Sequence, residues 1–217
     1  MTPRLTMVEQ SALHHGDCVA LMRQMPSGCV NLVLTDPPYL VSYRDRAGRT
    51  LLNDTHGDWL APAFSEAYRL LKPDSYCVSF YGWSQVDQFV AAWRQAGFRI
   101  VGHLVFAKDY ASSARYLRCC HEQAYLLAKG QPGSPREPLD DVRSWRYTGN
   151  RLHPTQKPVE TLRPLISSLA PVGGVVLDPF CGSGSTLMAA RAERRAFIGM
   201  ELDEQYYTAA RERLMGG

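Results

Sequence analysis

Val175-Val176-Leu177-Asp178-Pro179-Phe180-Cys181-Gly182-Ser183-Gly184-Ser185 decides the fold. A short apolar run rich in β-branched residues meets an acid, then a Gly-Ser-Gly turn, then a helix opening at Ser185-Thr186. This is the strand, glycine loop and helix unit of open α/β sheets, whose ligands lie at the carboxyl ends of the strands. The glycines permit a tight turn and close approach to a ligand. G-S-G departs from the G-x-G-x-x-G fingerprint, and no P-loop lysine follows, so pyrophosphate is not the ligand indicated. About 20 residues further on, Glu201 ends the next apolar run, where such folds place the acid that takes ribose hydroxyls. Alone, Glu201 reads equally as a helix-capping glutamate.

Short apolar runs alternate with segments of helical period along the chain, the pattern of a mostly parallel sheet covered on both faces. Seven strands are predicted: 13–15, 30–35, 76–81, 100–106, 123–127, 175–178 and 197–200. Leu60, Phe64 and Leu71, and then Val86, Phe89, Val90 and Trp93, recur at helical spacing, with Gly97 placed to end the second helix in a left-handed cap. Leu162, Leu165, Ile166 and Leu169 follow Pro158 as another apolar stripe, and Asp203 can cap a last helix toward Leu214. The fold class is α/β, in one domain over residues 1–217. Two stretches fall outside the alternation and read as loop insertions, 41–58 and 130–151.

Composition sets limits rather than an activity. Of 217 residues, 45% are hydrophobic, as in a globular protein, and no apolar run approaches the roughly 20 residues of a membrane span. With no basic-apolar leader at its start, a cytoplasmic location is expected. None of the six cysteines forms a C-x-x-C pair, so no metal or redox centre is indicated. A net charge of +3 identifies no partner by itself.

Chemistry is carried by Asp36-Pro37-Pro38-Tyr39, directly after the strand run 30–35. Two consecutive prolines fix the backbone and lack N–H donors, so the turn is stiff and offers carbonyl oxygens. The exocyclic amino group of adenine or cytosine is a poor nucleophile because its lone pair is delocalised, but it has two hydrogens to donate. The Asp36 carboxylate and Pro37 carbonyl could accept both, leaving a lone pair directed at an electrophilic methyl, with Tyr39 stacked on the base. Alone, the tetrapeptide also reads as a stiff turn that ends a strand.

Together these residues resemble the amino-group DNA methyltransferases of the beta arrangement, in which D-P-P-Y precedes the glycine loop. The resemblance covers nearly the whole chain. His153-Pro154-Thr155-Gln156-Lys157-Pro158 looks like the family's element before that loop, Asp178 to Gly184 like the loop itself, and Ile198 to Asp203 with Tyr206 like the ribose-binding strand and its helix. His15-Gly16-Asp17-Cys18 is similar to the segment that meets the cofactor adenine. The resemblance implies a Rossmann-like class I methyltransferase sheet, permuted so that the catalytic half precedes the cofactor loop. It also implies S-adenosyl-methionine as cofactor and double-stranded DNA as partner. Asp17 and Cys18 would meet the cofactor adenine, and Glu201 its ribose. Asp178, Phe180, Gly182, Ser183 and Gly184 would surround the methionine half, with Lys157 facing the carboxylate.

Transfer would run in line from sulfonium to nitrogen, on a base extruded from the duplex. Asp at the first position of the motif leans toward N6 of adenine within the family. N4-cytosine transfer and a non-catalytic, cofactor-binding DNA regulator are the alternatives. Arg115, Arg118, Arg136, Arg143, Arg146 and Arg151, interleaved with Tyr116, Trp145 and Tyr147, form the candidate phosphate-contacting segment. The insertions 41–58 and 130–151 are the candidate recognition segments. Monomer and homodimer stay open, as does a restriction-enzyme partner.

Overall fold

A computed structural model describes residues 11–43, 48, 52–112, 116–135, 137–146 and 156–216. His153, Arg115, Arg136, Tyr147 and Arg151 lie outside the described residues, as does part of each insertion. Among the described residues, eight strands form one sheet. They are β1 (Ala12–His15), β2 (Val30–Thr35), β3 (Leu71–Phe80), β4 (Arg99–Lys108), β5 (His121–Lys129), β6 (Val142–Trp145), β7 (Val175–Asp178) and β8 (Ala196–Glu201). The spatial order is β1-β8-β7-β2-β3-β5-β4-β6. Only the β3/β5 and β4/β5 pairings are antiparallel, so the sheet is α/β and mostly parallel, as the sequence indicates.

The extra strand relative to the seven expected is β6, which lies within 130–151 and runs parallel to β4 at the sheet edge. Of its four residues only Trp145 is buried, and Val142-Arg143-Ser144-Trp145 reads apolar, polar, polar, apolar, so the sequence lacks the alternation by which strands are recognised. Trp145 packs against Phe80 and Phe106. It is therefore a core residue rather than part of the exposed phosphate-contacting surface, while Arg118 and Arg146 are exposed.

Helices cover both faces: α1 (Cys18–Met22), α2 (Leu60–Leu70) and α3 (Val86–Ala96) on one, α4 (Val159–Leu169) and α5 (Ser185–Ala192) on the other, with α6 (Glu204–Met215) completing the chain. The two cores are separated by the pleat of the sheet. Val33 of β2 points into the first core, while Leu32 and Leu34 point into the second, as the two-residue strand period requires. Helix ends follow the sequence signals. Gly97 closes α3 in the left-handed conformation at φ 102°, and the Asp203 side chain accepts N–H bonds from Gln205 and Tyr206 at the start of α6.

Candidate active site

β2 and β7 are neighbours, Leu32 opposite Val176 and Val33 opposite Leu177. Their carboxyl ends therefore bring Asp36 and Asp178 to one place, although the two motifs lie at opposite ends of the chain. A cleft enclosing about 1090 Å³ of empty space, its open mouth included, lies there. Asp17, Cys18, Asp36, Pro37, Pro38, Tyr39, Lys157, Asp178, Phe180, Gly182, Ser183 and Glu201 all line it. Of the site residues expected from the sequence only Gly184 does not. It takes a left-handed φ of 79° as N-cap of α5, and a Cβ there would stand 3.2 Å from the Cβ of Ala210 on α6. Gly184 is thus the close-packing point between the glycine loop and the last helix.

The acceptor loop is held by a compact polar cluster. Tyr39 donates its hydroxyl proton to Asp36 Oδ1 at 2.8 Å. Lys157 Nζ lies 2.5 Å from Asp36 Oδ2 and donates to the Tyr39 hydroxyl at 3.4 Å. The ammonium also sits over the rings of Phe80, Tyr39 and Trp145, at 4.9, 5.5 and 5.7 Å from their centroids. Burial raises the Asp36 carboxyl above its ordinary range, and the neighbouring Lys157 charge pulls it back. The Tyr39 hydroxyl is raised well above its ordinary range, first by burial and then by the Asp36 charge.

Beyond Tyr39 the backbone turns through left-handed conformations at Leu40 (φ 61°) and Ser42 (φ 52°). Non-glycine residues adopt these at a cost of about 1–2 kcal/mol each. Asp54 offsets that cost. Its side chain is buried, and its carboxylate accepts the N–H groups of Leu40 at 2.7 Å, Val41 at 3.3 Å and Tyr43 at 2.5 Å. The backbone N–H of Ser42 donates to the Asp54 carbonyl at 3.0 Å. Sequence reasoning passed over Asp54. Its signal is an acid within the first insertion, and the insertion here acts as a brace for the acceptor loop.

On the cofactor-loop side, Glu201 bridges two turns: Oε2 accepts Gly182 N–H and Oε1 accepts Asp203 N–H, both at 2.8 Å. Its carboxyl is raised by burial. Asp178 is fully buried, accepts the Phe180 N–H at 3.1 Å and faces Thr186 and Thr35. Burial pushes its carboxyl up to about 7. Asp17 caps α1 by accepting the Ala20 N–H at 2.8 Å, and burial raises the adjacent Cys18 thiol to about 12, which excludes a thiolate nucleophile at neutral pH.

A mostly parallel α/β sheet whose Asp36 and Asp178 loops open into one cleft fits a class of nucleic-acid-modifying transferases, and the comparisons with known proteins agree. The chain belongs to the DNA methylase family of N6 and N4 methyltransferases, whose model matches residues 30–212. It is 56% identical over 199 residues to YubD of Escherichia coli (strain K12), described as a methylase, covering 92% of this chain and 88% of that one. It is 26% identical over 247 residues to the DNA adenine methyltransferase YhdJ of the same strain, with 95% and 83% covered. Among solved structures it resembles a DNA modification methylase of Thermus thermophilus complexed with S-adenosyl-L-methionine, with a TM-score of 0.70 and 25% identity over 94% of each chain.

Proposed function

We propose that the chain transfers a methyl group from S-adenosyl-methionine to the N6 amino group of adenine in double-stranded DNA. The observation that carries the reading is that Asp36 and Asp178 open into one cleft from adjacent strands. The acceptor for an amino group and the loop for a nucleoside cofactor are thereby side by side.

The cleft residues fit that cofactor. A carboxylate has about four lone-pair sites, so Glu201 retains capacity for ribose hydroxyls while holding Gly182 and Asp203. Asp17 likewise retains capacity for an adenine amino group beyond its cap. Phe180 supplies an apolar wall. S-adenosyl-methionine, when bound, supplies an electrophilic methyl on a sulfonium.

The remaining work falls to the protein. Asp36 and the Pro37 carbonyl accept the two amino hydrogens and orient the nitrogen lone pair, and Asp36 is placed to take the proton that the nitrogen sheds. Tyr39 fixes the carboxylate through its hydroxyl and offers its ring to the base. Lys157 balances the buried negative charge. The YhdJ similarity and the aspartate at the first position of the motif favour adenine.

The test is transfer of labelled methyl from S-adenosyl-methionine to unmethylated duplex DNA, with nucleoside mass spectrometry and Asp36→Ala as control. Labelled N6-methyladenine that vanishes in the variant is the expected result. Labelled N4-methylcytosine keeps the chemistry and replaces the base, whereas cofactor binding without any labelled nucleic acid overturns the catalytic reading in favour of a DNA-binding regulator.

A further inference from the structure

Four tryptophans are present, and three of them, Trp59, Trp93 and Trp145, are buried. The fourth, Trp83, is 72% exposed. Aromatic side chains are the largest available sources of buried apolar area, so an exposed indole contributes strongly wherever a partner covers it.

The position of Trp83 points to one partner. β2 and β3 are in register with Thr35 opposite Ser79, so the chain leaving β3 runs beside the acceptor loop leaving β2. At Gly82 the two touch: a Cβ there would lie 2.8 Å from Tyr39 Cβ and 2.9 Å from the Tyr39 carbonyl oxygen. Only glycine lets the two segments approach this closely. The 3₁₀ turn Trp83–Gln85 follows immediately and is closed by the Gln85 N–H donating to the Gly82 carbonyl at 3.0 Å. Trp83 is therefore an exposed ring on a fixed turn, one residue from the wall against which Tyr39 rests. Val41 and Leu52, which line the cleft, are also exposed at 45% and 53%, so the rim beside Tyr39 is apolar.

We infer that Trp83 is a wedge for duplex DNA, stacking on the base left exposed when the target nucleotide is drawn toward Tyr39. The inference rests on the DNA reading above. An extruded nucleotide stays covalently tied to its neighbours, so those neighbours must lie close to the mouth of the cleft. Extrusion loses base stacking, and side chains inserted at base steps offset part of that loss. Stacking of a base on an aromatic ring is favourable and tolerant of sequence.

Because Trp83 is the one exposed tryptophan, acrylamide quenching of intrinsic fluorescence reads it directly. The probe is a library of unmethylated, randomised-sequence duplexes with S-adenosyl-homocysteine present, binding being followed by anisotropy of the labelled DNA. The accessible component is expected to disappear as duplex saturates the wild-type protein. Trp83→Ala is expected to lack that component from the outset, bind duplex about tenfold more weakly and keep its cofactor affinity and melting temperature, while Trp83→Phe recovers most of the binding. Quenching that persists in the DNA-saturated protein, or Trp83→Ala binding as tightly as wild type, overturns the inference. A wild-type protein that binds cofactor but no duplex overturns the DNA reading itself, and this inference with it.

Discussion

Lys157 Nζ stands 2.5 Å from Asp36 Oδ2, so the cation that the family resemblance turns toward the cofactor carboxylate is paired with the acid of the acceptor loop. With Tyr39 on Oδ1, both carboxylate oxygens are oriented before any base arrives.

Replacing that cation tests its role. Burial already raises the Asp36 carboxyl and Lys157 opposes the rise, so Lys157→Met raises it further. On the proposed mechanism Asp36 accepts amino hydrogens as a carboxylate, so the acid limb of the kcat/KM profile for methyl transfer is expected to move to higher pH. Activity on that acid limb falls while the alkaline plateau is kept, and Lys157→Arg retains most of the wild-type profile. An unmoved acid limb would show that Lys157 serves the cofactor alone.

Asp178 governs a stability change with pH. Its carboxyl is raised from 3.8 to about 7 in the fold, so between these values the folded protein keeps a proton that the unfolded chain releases. Stability accordingly falls as pH rises from about 4 to about 7 and levels off above. Asp178→Asn removes the titrating proton while keeping an oxygen for the Phe180 N–H. The variant is expected to melt higher than wild type at pH 8, by a margin of about 2–4 kcal/mol, and to converge with it near pH 4. Melting curves offset equally at both pH values would contradict this.

The brace at Asp54 predicts a loss with two components. Three backbone N–H groups lose a charged acceptor in Asp54→Ala, which costs about 3 kcal/mol in urea unfolding. The catalytic rate falls more than cofactor affinity does, because the loop bearing Asp36 and Tyr39 loosens while Glu201 and Gly182 stay in place. Equal losses in both would mean that Asp54 supports the whole cleft rather than the acceptor loop.

The two loop glycines should separate. Gly184→Ala meets Ala210 at a left-handed φ and lowers stability by about 2 kcal/mol, with cofactor affinity altered less than in Gly182→Ala. Gly182 lines the cleft and donates its N–H to Glu201. Isothermal titration with S-adenosyl-methionine, alongside thermal melting, distinguishes them, and a larger affinity loss in Gly184→Ala would refute the assignment.

Much of this arrangement is legible in the sequence because the decisive signals are local. The runs 30–35 and 175–178 are strands buried throughout except at the half-buried Asn31, and are bounded by turn residues, and Asp203 and Gly97 announce their helix ends by residue type alone. What escapes is either too short or too distant. Helix α1 has five residues, less than two turns, and shows no period. β6 buries a single side chain. The pairing of Lys157 with Asp36 and the bracing of Leu40 by Asp54 depend on which strands become neighbours, which no local pattern records.

Strand order also bears on how the protein is made. β7 lies between β2 and β8, and β8 separates β7 from β1, so two early strands await partners that the ribosome delivers last. Until β7 and β8 emerge, the nascent chain presents an unpaired β2 edge and an orphaned β1, the kind of surface on which incomplete chains associate. Assembly of the cleft is then the closing event of synthesis, and an interrupted translation product lacks the seat for a nucleoside altogether.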